Sequence, residues 1–156
     1  MILDVGCRTR GEGDVNIDVV RQNPNKIKNF IQADAHFLPF RDNILSCVIC
    51  RHALEHLKNP LIALKEIKRV CNGKVLFFIP STFSLDHEKR HLYSWTPFTL
   101  KNLLNKVFTK VEVCYSKRKD VLRGKVGRWM PCVWLNTYLS FFGVRPEIYA
   151  IARTRS

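Results

Sequence analysis

Met1-Ile-Leu-Asp-Val-Gly-Cys-Arg-Thr-Arg-Gly-Glu-Gly-Asp-Val-Asn-Ile-Asp18 is the stretch from which the rest of the chain is read. An apolar strand, Ile2 to Val5, enters a glycine-containing turn. A second short apolar strand, Val15 to Ile17, ends on Asp18. Strand, glycine turn, strand and acid is the pattern of the nucleotide-binding edge of a doubly wound α/β sheet. Glycine lets a ligand lie against bare backbone, and the acid can accept hydrogen bonds from ribose hydroxyls. Only eight residues separate Gly6 from Val15. A parallel crossover takes about a dozen residues, so a compact loop is expected here in place of a helix.

The remaining pattern extends the sheet. Asn23-Pro24 predicts a short helix to about Lys28, and Phe30 to Ala33 a third strand ending at Asp34. In the loop 35–43, Leu38-Pro39-Phe40 puts two apolar residues on a turn. Ile44 to Cys50 is a continuous apolar run, as expected of a strand covered on both faces. Asn59-Pro60 caps a helix to about Val70 with apolar residues at helical spacing, and Asn72-Gly73 is expected to stop it. Lys74 to Ile79 reads as a buried strand. A polar loop, 80–95, carries His87, Arg90, His91, Tyr93 and Trp95, and Thr96-Pro97 opens another helix. Val111 to Tyr115 and Ile148 to Ile151 complete the strands. The expected architecture is a single α/β domain over 1–156, a doubly wound Rossmann-like sheet, mostly parallel with one antiparallel strand near the C-terminus.

Composition narrows the class. The chain has 156 residues, 46% hydrophobic and 25% charged, which is globular rather than disordered. Its formal net charge is +13. Residues 1–50 carry six basic and six acidic side chains, and residues 51–156 carry twenty and seven, so the whole excess lies in the second part. That imbalance points to an anionic partner: nucleic acid, lipid headgroups or a phosphorylated substrate. Between the last two strands lies an insert, 117–146. Its Lys117–Arg128 part holds six basic residues and one acid, and Trp129 to Val144 holds no charge and much of the aromatic content. The apolar part is expected to cover sheet surface or to close a homodimer through 129–144.

The cysteines at 7, 47, 50, 71, 114 and 132 are scattered. Cys47 and Cys50 form a CxxC inside a strand, where residues three apart point to opposite faces; free thiols are expected. No metal-binding cluster of His, Cys and acids is visible. Met1 enters the first strand directly and no apolar run reaches the ~18 residues of a membrane span. A cytoplasmic location is expected, with peripheral attachment to a membrane as an alternative.

Four stretches resemble the class I S-adenosylmethionine-dependent methyltransferases, specifically the small-molecule type of domain. They are Ile2-Leu-Asp4-Val-Gly6-Cys7, the acid Asp18, Ala33-Asp34 with Leu38-Pro39-Phe40, and Cys47-Val-Ile-Cys-Arg51-His52-Ala-Leu-Glu55-His56-Leu57. The later Lys74 to Pro80 and Tyr93 to Pro97 fit the same pattern. The sequence departs from the family where Arg8 and Arg10 fall on the second and third glycines of the first motif. It departs again at Ser46, where many relatives carry an aspartate.

The resemblance implies S-adenosyl-L-methionine as cofactor and in-line methyl transfer to an unidentified acceptor. It implies that Asp4, Gly6 and Cys7 position the methionine end and that Asp18 takes both ribose hydroxyls. Asp34 would meet the adenine amino group, with Ala35 donating backbone and Phe37 or Leu38 walling the ring. Arg51 would line the methionine end. His52 is the candidate base for a hydroxyl substrate, and His56, His87 and His91 are candidates for the substrate side. Two other readings compete: a non-catalytic module holding nucleic acid or a membrane surface through its basic insert, and a nicotinamide oxidoreductase. The second is disfavoured because GxGxxG is broken and Asp18 follows Gly6 by twelve residues, where about twenty is usual.

Overall fold

A computed structural model describes residues 1–21, 26–82, 90–116 and 147–154. The expected insert 117–146, its proposed dimer surface, His87 and residues 22–25 of the expected short helix lie outside the described residues. Seven strands form one sheet: β1 (Ile2–Val5), β2 (Val15–Asp18), β3 (Phe30–Gln32), β4 (Leu45–Arg51), β5 (Cys71–Pro80), β6 (Lys110–Ser116) and β7 (Glu147–Arg153). Their order is β3-β2-β1-β4-β5-β7-β6. All neighbours are parallel except that β7 runs antiparallel to both β5 and β6. The expected sheet, with its single reversed strand, is the one found.

The order reverses direction between β1 and β4, and a doubly wound sheet opens a crevice at such a point, beyond the C-terminal ends of its strands. The centre of the sheet is the most deeply buried part. Leu3, Leu45, Val48, Val75, Phe77, Ile79 and Ile148 are fully enclosed. Helix α1 (Pro60–Val70) buries Ala63, Leu64, Ile67 and Val70 on one face, the helical spacing read from the sequence. Its N-cap Asn59 accepts the Ile62 N–H at 3.2 Å. Helix α2 (Pro97–Leu104) starts at a reciprocal capping box between Thr96 and Thr99.

Several boundaries differ from expectation. Residues 26–29 form turns rather than the end of a helix. Strand β4 begins at Leu45, leaving Ile44 about half exposed. Helix α1 is stopped by Cys71, which turns extended and pairs with Leu45, so Asn72 and Gly73 lie inside β5 and not in a helix-ending turn. Strand pairing wins there because α1 leads straight into β5.

The β1–β2 connection is the compact loop expected. Without a helix, its amides need other acceptors, and two carboxylates supply some of them. Glu12 N–H donates to Asp4 Oδ2 and Arg8 N–H to Asp18 Oδ2, both at 2.9 Å, while the loop's Asp14 Oδ2 accepts the Ile2 N–H of β1 at 2.8 Å. Gly6 and Cys7 both donate to the Ile17 carbonyl. Gly13 lies so close to β1 that a Cβ there would stand 2.8 Å from the Asp4 nitrogen and 2.9 Å from the Ile2 oxygen. The loop is thus tied to β1 and β2 along most of its length.

Candidate functional site

A cavity of about 670 Å³ opens where the strand order reverses. The ends of β1, β2 and β3 contribute Gly6, Asp18 and Ala33–Phe37, and the segment after β4 contributes His52, Ala53 and His56–Asn59. The structure therefore brings together Gly6, Asp18, Asp34, Ala35, His52 and His56, all singled out from the sequence.

Gly6 has φ +74°, and a Cβ added to it would stand 2.5 Å from the Ala53 Cβ. Any side chain would therefore collide with the segment after β4, across the reversal point. Arg8, at a position where the family carries glycine, takes φ +45°. It does the backbone work of a glycine, presenting its N–H to Asp18, at the cost of a strained conformation.

Asp18 is buried, and each oxygen accepts one backbone N–H: Arg8 on Oδ2 and Val20 on Oδ1, both at 2.9 Å. A carboxylate has about four lone-pair sites, so the two amides orient it and leave capacity for a diol. Asp34 Oδ1 accepts from His36 twice, from the backbone N–H at 2.9 Å and from ring Nδ1 at 2.6 Å. Burial pushes the Asp34 carboxyl up, but these hydrogen bonds and the nearby charge of Lys58 outweigh it and hold it below its ordinary value. The other nitrogen of that ring, Nε2, accepts the Asn59 N–H at 3.2 Å. The two contacts assign the ring proton to Nδ1. His36 thus ties the end of β3 to the start of α1, a role the sequence reading missed. The signal was its place two residues after an aspartate, where side chains commonly hold the backbone.

The wall over this end is apolar. Phe37 is 76% exposed, Val19 and Val20 are also exposed, and all three line the cavity with Ile62. Leu38, the other expected wall residue, is buried in the core. Its N–H donates to Glu66 and its carbonyl accepts from Arg69. Arg69 also holds the Phe40 carbonyl and pairs with Asp42 and Glu66, so one guanidinium fixes the loop that presents Phe37.

Three expected cofactor residues are not among those lining this cavity. Asp4 lies behind it, holding Glu12; burial raises its carboxyl to about 6 against the opposing Glu12 hydrogen bond. Cys7 is buried, and its thiol is pushed up to about 12, first by burial and then by the charges of Asp4 and Asp18. Arg51 donates to Glu12 Oε2 at 2.9 Å, and its guanidinium lies 3.9 Å from the Phe78 ring centroid. These three support the loop from beneath.

The far end differs from expectation. His52 has φ +47°, and its Nε2 meets Glu147 Oε1 at 2.8 Å while Nδ1 stands 3.6 Å from Glu55 Oε1. The carboxylate of Glu147 first, and then that of Glu55, raises it to about 9. Near neutral pH it is an imidazolium, which has no lone pair with which to take a proton. The geometry speaks against the general base read from the sequence. His56 and His91 do come together, with ring centroids 4.8 Å apart, although only His56 lines the cavity. Cys7, Cys47, Cys50, Cys71 and Cys114 are free thiols, as expected.

A family model described as a methyltransferase domain matches residues 14–79, from β2 almost to the end of β5. An uncharacterised protein of Methanocaldococcus jannaschii is 32% identical over a stretch that covers 57% of this chain and 44% of that protein. The chain therefore spans less than half the length of this curated relative. Among solved structures, a chain from the complex of the Haloferax volcanii Trm112 methyltransferase activator with a methyltransferase superposes with TM-score 0.69 at 16% identity. That superposition covers 99% of this chain and 82% of the other. An S-adenosylmethionine-dependent methyltransferase of Archaeoglobus fulgidus gives TM-score 0.64 at 19% identity, over 97% and 85%. Phosphoethanolamine N-methyltransferase 2 of Haemonchus contortus, in complex with phosphomonomethylethanolamine and S-adenosylhomocysteine, gives 0.63 at 16%, over 97% and 48%.

Proposed function

We propose, for a chain whose fold is that of the class I methyltransferases, that it binds S-adenosylmethionine and transfers its methyl group to an anionic acceptor. One observation carries the reading. A cavity at the reversal of strand order is walled by Gly6, Asp18 and Asp34, one from the end of each of three adjacent parallel strands.

The cofactor brings an already activated methyl group, so the protein needs mainly to bind and align. In this reading the bare backbone at Gly6 admits the cofactor and Asp18 takes the ribose hydroxyls. Asp34, steadied by His36, meets the adenine amino group while Phe37, Val19, Val20 and Ile62 enclose the ring. Asp4, Cys7 and Arg51 keep the loop in the shape that makes this possible. At the acceptor end, Arg90 puts positive charge on the cavity lining, while His52 is held between Glu55 and Glu147. With the +13 net charge, Arg90 favours a phosphate- or carboxylate-bearing acceptor. His52, with both ring nitrogens facing carboxylates, does not deprotonate it. Among the described residues no helix is long and apolar enough to cross a membrane.

Calorimetric titration with S-adenosylmethionine and S-adenosylhomocysteine tests the first step. Binding is expected for both, and its absence at millimolar concentration would overturn the reading. Release of S-adenosylhomocysteine with phosphorylated acceptors, but not with their neutral analogues, tests the second.

A further inference from the structure

The segment after β4 and the segment before α2 are locked together. The Glu55 carbonyl accepts the Leu92 N–H at 2.8 Å and the Tyr93 N–H at 3.3 Å, and the Tyr93 hydroxyl donates to the Lys58 carbonyl. This places His91 beside Glu55 and His56, which lie about thirty-five residues earlier in the chain. One ligating atom from each lies within 4.8 Å of the others.

Two further observations give the cluster a purpose. Glu55 is 0% exposed, yet neither carboxylate oxygen has a hydrogen-bond partner among the described residues. The His52 ring stands 3.6 Å from Oε1, an ion-pair distance rather than a hydrogen bond. A buried carboxylate without hydrogen bonds is costly and is normally paired closely or coordinates a metal. His56 Nδ1, in turn, stands 3.1 Å from the Arg90 carbonyl. A metal-ligating histidine ordinarily donates one ring N–H to a carbonyl or carboxylate and coordinates through the other nitrogen. The Arg90 contact puts the proton on Nδ1 and leaves Nε2 as the donor atom.

We propose that Glu55, His56 and His91 form a binding site for a single first-row divalent cation, with zinc as the natural occupant, at the acceptor end of the cavity. Two imidazoles and a carboxylate suit zinc, whereas magnesium and calcium favour oxygen-only shells. Tetrahedral coordination at about 2.0–2.1 Å sets ligand atoms roughly 3.3 Å apart. The three groups must therefore draw together on binding the ion. Three protein ligands leave a fourth position for water or for an anionic oxygen of the acceptor. The site does not depend on the cofactor, so it stands or falls apart from the methyl-transfer reading.

The test uses the full chain, stripped with a chelator and titrated with Zn²⁺ alone, in competition with a chromophoric chelator, and with Co²⁺ as a visible reporter. One equivalent is expected at micromolar or tighter affinity. The ligand-field spectrum should be that of low coordination number, with no thiolate-to-cobalt charge-transfer band. His91→Ala and His56→Ala should each weaken Zn²⁺ at least tenfold, and the double variant should abolish site binding. Glu55→Gln should do the same if it folds; the histidines, which are not buried in the core, keep the test independent of that outcome. Unchanged affinity in the double variant, a thiolate band, or only millimolar binding overturns the assignment.

Discussion

At the β1–β2–β3 end of the cavity every carboxylate is met by protein. Asp4 holds Glu12, Asp14 holds Ile2, Asp18 holds Arg8 and Val20, and Asp34 holds His36. At the β4–β5–β7 end, both oxygens of Glu55, Oε2 of Glu147 and Nε1 of Trp95 are buried without a hydrogen-bond partner among the described residues. An unmet buried polar group costs roughly 1–3 kcal/mol, so several together are tolerated only where something else meets them. The first end is pre-organised, with its acids already aimed. The second holds the unmet groups, and it is there that the proposed cation site and acceptor are placed.

Gly6→Ala should break the comparison most severely. It forces φ +74° on a residue with a Cβ and places that atom against Ala53, costing about 3 kcal/mol and eliminating cofactor binding. Ala53→Gly in the same chain should recover stability in thermal melts but only part of the affinity. Asp18→Ala removes the aimed acceptor and strands two amides. A loss of at least tenfold in S-adenosylmethionine affinity is expected by calorimetry, with a smaller fall in melting temperature. An unchanged affinity would show that the acid serves the loop alone.

Asp4 sharpens the point, because its charge is held against its own preference. Its carboxyl rises from 3.8 to about 6 on folding, so between those values the folded chain keeps a proton that the unfolded chain has released. Stability contributed by this group is therefore lost as pH rises from about 4 to about 6, by up to about 3 kcal/mol. Asp4→Asn should melt like the parent near pH 4 and above it at pH 7 to 8. The smallest effect expected is at Arg8. Arg8→Gly relieves φ +45° and should add about 1 kcal/mol in denaturant unfolding, with cofactor affinity equal or better.

Periodicity and capping carried much of the fold. The buried run of β4, the Asn59-Pro60 start of α1 and the Thr96-Pro97 start of α2 are local signals, and the structure places each within a residue of its expectation. The stop of α1 was misread because a Gly-containing pair looks like a helix end, while strand pairing of Cys71 with Leu45 had already ended the helix. Leu38 and Phe37 could not be told apart by composition. Which one faces the cavity depends on Arg69, some thirty residues on, drawing the Leu38 carbonyl inward.

The first eighteen residues by themselves determined a parallel edge with a short glycine loop and an acid at its end, because strand pattern, loop length and residue type are all local. Only the tertiary structure decided what the acids and histidines do. It turned Asp4 into a latch for the loop and set Glu147 against His52, converting an expected base into a cation. It also brought His91 across to Glu55 and His56. Those outcomes rest on distances between residues far apart in the chain, and charge and coordination depend on such distances rather than on residue type.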